Sequence, residues 1–203
     1  MKMAMTGLCV LVLCAWGISL LGGEKAVSRD YKIRVDRFVS LSEKKSDQAS
    51  EHILKTRADI AHDLMAQLRD NSSVEAKVYL IYLLGELRYG RAANLLTDHI
   101  DLKAPRLDVA SAIRRWGPYP AADALTSIGA PAIGEISSRL PKDQTDLRRK
   151  LMVGVIWDIK GDKCGRILLE GALAEQTTDP AKANLKASLD AFDSLTRKRQ
   201  PKP

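Results

Sequence analysis

Three stretches of this chain repeat one another, and a chain that repeats a helix-sized apolar pattern has few architectures open to it. With Leu87, Ile128 and Ile159 set in one column, Leu84, Leu125 and Ile156 lie three residues upstream, and Leu83, Ala124 and Val155 four upstream. Leu80, Ala121 and Met152 lie seven upstream. Intervals of three, four and seven trace a single face of a helix. Just downstream come Arg88-Tyr89-Gly90, Gly129-Ala130-Pro131 and Lys160-Gly161-Asp162, each with a glycine able to end a helix in a left-handed cap. A second apolar column follows in the same register: Ala92, Ile133 and Cys164, then Leu95, Ile136 and Ile167. Pro131 and Asp162 suit the first turn and the cap of that second helix. The predicted unit is therefore helix, tight turn, helix, occurring three times.

These units resemble HEAT repeats, and the short ones resemble the HEAT-like repeats of the phycobilisome-lyase type. The resemblance is carried by Tyr79 to Leu87 with Ala92 to Leu96, by Ala121 to Ile133, and by Leu151 to Ile159 with the helix after Gly161. It implies an all-α fold, a right-handed α-solenoid of about three helix pairs. The anchors lie 41 and then 31 residues apart, and the excess falls around Lys103 to Trp116, a connection containing Pro105. Before the repeats, Ile53, Ile60, Leu64 and Leu68 predict a long helix from about residue 47 to Asn71. After them, Asp179-Pro180 followed by Leu185, Leu189, Phe192 and Leu195 predicts a closing helix. The two extra helices would cap the ends of the stack, giving a helical domain over 47–196 and a basic flexible tail over 197–203.

Residues 1–28 read as a secretory signal peptide, with Lys2 before the apolar stretch Gly7 to Leu21 and small residues at Ala26-Val27-Ser28. The apolar stretch is short for a spanning helix, which needs about 20 residues, although an uncleaved anchor is the alternative. Residues 29–46 form an extended or flexible arm in which Tyr31, Ile33 and Val35 alternate with charged residues. The expected location is outside the cytoplasm, periplasmic or extracellular. Of three cysteines, Cys9 and Cys14 fall in the signal, so Cys164 would remain alone and the domain would depend on its apolar core.

No signature of catalysis is present: no HExxH, no CxxC, no GxSxG and no glycine-rich phosphate loop. His52 and His62 stand ten residues apart on one helix and do not share a face; they read as solvated side chains. His99 reads as a half-buried packing residue, and Cys164, in the column of Ala92 and Ile133, as a small buried hydrophobe. The chain carries a formal +7 charge, with basic clusters at Arg114-Arg115, Arg148-Arg149-Lys150 and Arg197 to Lys202. Few of its 5% aromatic residues are interleaved with those charges, so stacking platforms for nucleic acid are missing and a solvated surface is the simpler reading.

The expectation is a non-enzymatic interaction or scaffold module with no cofactor and no metal. Positions seven and eleven after each anchor lie nearly opposite the apolar face, and read Asn94 and Asp98, Glu135 and Arg139, Arg166 and Glu170. This ladder is mixed in sign, which favours a protein or peptide partner over a polyanion. Trp157 joins the candidates because it lies on the side of its helix away from the apolar column, to be covered either by the closing helix or by a partner. The alternatives are an accessory to an enzyme or cofactor-attachment system, as the lyase-type resemblance implies, and a basic adaptor anchored in a membrane.

Overall fold

The computed structural model describes residues 47–104, 116–142 and 145–199. Among them the chain forms seven α-helices and no strand: α1 Asp47–Asp70, α2 Val74–Leu87, α3 Ala93–Asp98, α4 Pro120–Ile128, α5 Ala130–Arg139, α6 Asp146–Ala174 and α7 Asp179–Arg199. The signal peptide, the 29–46 arm and Arg114-Arg115 lie outside the described residues.

The first connection shows how local chemistry sets the elements. Asn71 ends α1 and its side-chain oxygen accepts from the Ser73 amide at 2.9 Å, while the Ser73 hydroxyl accepts from the Ala76 amide at 3.3 Å and caps α2. This satisfies one of the donors that the first turn of a helix leaves without an intrahelical partner. Helix α1 then buries Ile60, Ala61, Leu64, Met65 and Leu68, one stripe directed at α2. Helix α2 is buried on more than one side, through Val78, Leu80, Ile81, Leu83, Leu84 and Leu87, because it lies between α1 and α4.

The columns read for the first helices lie in the core. Leu80, Leu83, Leu84 and Leu87 of α2, Ala121, Ala124, Leu125 and Ile128 of α4, and Met152, Val155 and Ile156 of α6 are all buried. Ile159 is half-buried, because it is the last apolar residue before the chain turns. Packing follows the same order: α2 against α4, α4 against α6, α3 against α5, and α5 against α6. Helix α7 lies along α6 and closes that end with Leu185 and Phe192.

Three turns separate first from second helices, and none caps its helix with a glycine in the left-handed α conformation that the sequence suggested, although in two of them a glycine with positive φ reverses the chain. Gly129 (φ 79°, ψ −137°) and Gly161 (φ 74°, ψ −179°) reverse the chain with a single residue. That backbone region is open essentially to glycine alone, and it divides α6 into two helical segments at Gly161. In the first turn the left-handed residue is Arg88 (φ 49°), whose amide donates to the Gly85 carbonyl, and not Gly90. Gly90 is there for space: a Cβ on it would stand 2.9 Å from the Pro131 Cβ.

Two further expectations are corrected. Cys164 and Ile167 were placed in the second apolar column, yet both are exposed, Ile167 by 67%. The second segment of α6 is rotated so that Gly165 and Leu169 face inward, because its partner is α7, and the Phe192 ring sits where a Gly165 side chain would project. The closing helix also runs through Arg199, so the first three residues of the expected tail are helical.

Candidate interaction face

The short helix α3 and the longer α5 lie side by side, and both turn their polar side the same way. Arg139, near the end of α5, is the hub. Its Nε donates to Glu135 at 2.9 Å one turn back, its Nη1 to Asp98 at 2.5 Å and its Nη2 to Asn94 at 2.6 Å, the last two on α3. Four of the residues picked out by the seven-and-eleven rule thus form one cluster across two helices. With a side-chain exposure of 27%, the Arg139 guanidinium is shielded on one side by the helices and open on the other.

A second arginine extends this face. Arg148, in the first turn of α6, donates to Asp101 at 2.8 Å and to the backbone carbonyls of Asp98 and Thr97 at 3.2 and 3.0 Å. Those carbonyls lie at the C-terminal end of α3, where the helix dipole favours a cation. The cluster Arg148-Arg149-Lys150 is therefore not simply a solvated charge run: Arg148 staples α6 to α3, and Arg149, buried, pairs with Asp146 at 2.5 Å. Arg148 and Asp101 belong to no column, so periodicity carried no sign of this role.

The third pair of the ladder stands apart. Arg166 and Glu170 pair with each other at 2.9 Å on the second segment of α6, and Arg166 also reaches Asp193 of α7. Thr196 donates to Asp162 at 3.1 Å nearby. A shallow cavity of about 510 Å³ lies here, lined by Asp162, Lys163, Arg166, Asp193, Thr196 and Arg197. Asp162, Arg166, Asp193, Thr196 and Arg197 around it are engaged with one another.

Trp157 is half-buried, and Val153, on the same side of α6, is fully buried. Between them a Cβ on Gly154 would fall 1.9 Å from the Trp116 ring. The ring that lies on this side of α6 at Gly154 therefore comes from the connection before α4. Among the described residues no group of three histidine, cysteine or acidic side chains is placed to hold a metal ion, and no described helix is long and apolar enough to cross a membrane.

Known protein families, characterised proteins and solved structures offer no match to this chain.

The histidines follow from their surroundings. His62 is exposed and meets the Tyr89 hydroxyl at 3.2 Å, edge against face. His99 follows α3 and is half-buried. Burial, helped by Lys77 and Arg148, pushes its imidazole below the ordinary value against the opposing pull of Asp98 and Asp101. A base whose folded pKa is depressed binds its proton more readily in the unfolded chain, so its contribution to stability is full above the unfolded value of about 6.5 and shrinks as pH falls below it. The urea midpoint is expected to fall between pH 7.5 and pH 5.5 less steeply in His99→Gln than in the wild type. Equal slopes would mean that the site does not sense protonation.

Arg139→Ala is expected to lower stability by about 1 to 2 kcal/mol, the scale of charge-assisted hydrogen bonds after partial screening by solvent. Arg139→Lys should recover only part of this, because one ammonium cannot span Glu135, Asp98 and Asn94 in the fork geometry that a guanidinium provides. Denaturant titration of the two variants measures both quantities.

Proposed function

We propose that this chain is a non-enzymatic interaction module, a right-handed α-solenoid of three HEAT-like helix pairs capped by α1 and α7, that binds a protein or peptide partner through the face shared by α3 and α5. The observation that carries this reading is the convergence of Asn94, Asp98, Glu135 and Arg139 on one accessible surface. Second helices of successive pairs line the binding side of such stacks. The order of contacts, α2 to α4 to α6 and α3 to α5 to α6, is what layered pairs produce.

The electrostatics support a polypeptide over a polyanion. Asp98, Asp101 and Glu135 are set against Arg139 and Arg148, so no field of one sign covers the face. The partly exposed carboxylates of Asp98 and Asp101 leave acceptors for backbone amides or basic side chains of a partner. Export, proposed from the 1–28 segment, would put that partner outside the cytoplasm.

The test is a comparison of captures. The chain and its Asn94→Ala, Asp98→Ala double variant, matched for helicity by circular dichroism, are used as baits against the exported protein fraction, with mass spectrometry as readout. A partner retained by the wild type and lost by the variant supports the reading. Identical sets, or none, would remove this face from consideration.

A further inference from the structure

The second segment of α6 exposes a face that the repeat register would have buried. Ile167 is the most exposed large hydrophobic residue described, with Cys164 one turn before it and Gly171 one turn after, both exposed. On the opposite side of the same segment Gly165 and Leu169 are buried against α7, so this face is not the one that α7 covers. Ile167, 67% in water, is the apolar centre of this face, and the charges beside it specify what can cover it.

Lys163 and Glu170 are both exposed and stand seven residues apart. Seven residues are close to two helical turns, so the two lie on one flank of the Ile167 face, one charge on each side of it along the axis. When two copies of such a helix pack antiparallel about a two-fold axis, each flank meets the same flank of the other copy with the axial order reversed. With the axis near Ile167, Lys163 of each copy faces Glu170 of the other. Cys164 and Gly171 exchange places in the same way, and both are small, so the two Ile167 side chains can approach the axis. A face that pairs opposite charges with itself is what an isologous interface requires.

We propose that the Cys164–Ile167–Gly171 face is a self-association surface, through which two copies of this chain pair antiparallel about Ile167 with reciprocal Lys163–Glu170 ion pairs. Glu170 retains its bond to Arg166, since a carboxylate has acceptor sites for both cations. A single helix pair buries less than the about 1,200 Å² typical of stable complexes, so the association is weak and depends on concentration. The proposal is independent of the α3–α5 face, which lies on other helices.

Sedimentation velocity of the full chain from about 10 µM to about 1 mM spans the range in which an interface of this size would associate. The expected result is a monomer–dimer equilibrium that Ile167→Asp shifts toward monomer by at least about tenfold in Kd, since a carboxylate would then be buried at the axis. Lys163→Glu and Glu170→Lys should each weaken it by opposing like charges, and the double exchange should bring the affinity back toward the wild type, because opposite charges again face each other. Circular dichroism on each variant separates loss of pairing from loss of helix. A chain that stays monomeric throughout, a dimer indifferent to Ile167→Asp, or a double exchange no better than the single ones would each overturn the proposal.

Discussion

Leu125→Ala is expected to cost about 2 to 5 kcal/mol, while Ile167→Ala, eight residues past its own anchor, should cost less than about 0.5 kcal/mol. Leu125 is completely buried on α4, the helix that touches α2, α3, α5 and α6, so three lost carbons would leave a cavity in the core. Ile167 belongs to a predicted column of equal standing but is exposed. The pair therefore tests the observed packing and not merely hydrophobicity. Urea denaturation of the two variants measures it, and similar losses at both sites would mean that the second segment of α6 sits in the register first read from the sequence.

The second large effect is expected at the other end of the chain. Phe192 is fully buried and its ring stands over Gly165, where a Cβ would come within 2.8 Å of Cε2. Phe192→Ala should cost about 3 to 5 kcal/mol. In the proposed stack of helix pairs each unit would lean mainly on its neighbours, so the damage should be local. Hydrogen exchange is expected to speed up in α7 and in α6 beyond Gly161, with α1 and α2 keeping their protection. Uniform acceleration through all helices would mean that the domain opens as one cooperative block and not by layers.

What the sequence revealed and what it hid have separable causes. The apolar columns of α2, α4 and the first segment of α6 were legible because Leu84, Leu125 and Ile156 recur at one place in a helical period, whereas the burial of further sides of these helices, through Val78 and Val153, was not. Burial of Cys164 was a false inference from the same rule. Periodicity fixes positions within a helix but not the rotation of that helix toward its neighbour, and the neighbour here is α7 with a phenylalanine that demands a glycine opposite it. The candidate face behaved likewise: spacing put Asn94, Asp98, Glu135 and Arg139 on outward positions, whereas their joining by one guanidinium depends on how closely α3 approaches α5. Arg148 and Trp116 were missed as structural parts because each acts across a connection, where no period applies. The αL residue of the first turn was misassigned to Gly90 because composition cannot tell a glycine needed for its backbone from one needed for its small size.

The unequal spacing of the anchors looks different once the ends of the long connection are considered. The Ala104 amide donates to the Pro118 carbonyl at 2.8 Å, so the two ends of the connection meet at one place. A connection tied at its ends in this way is held by a contact that does not depend on its length, and the entropic cost of closing a connection grows only slowly with the number of residues in it. Anchors 41 residues apart in one interval and 31 in the next thus differ across a connection whose two ends are joined by a single backbone hydrogen bond, so unequal spacing in sequence need not mean unequal spacing in space.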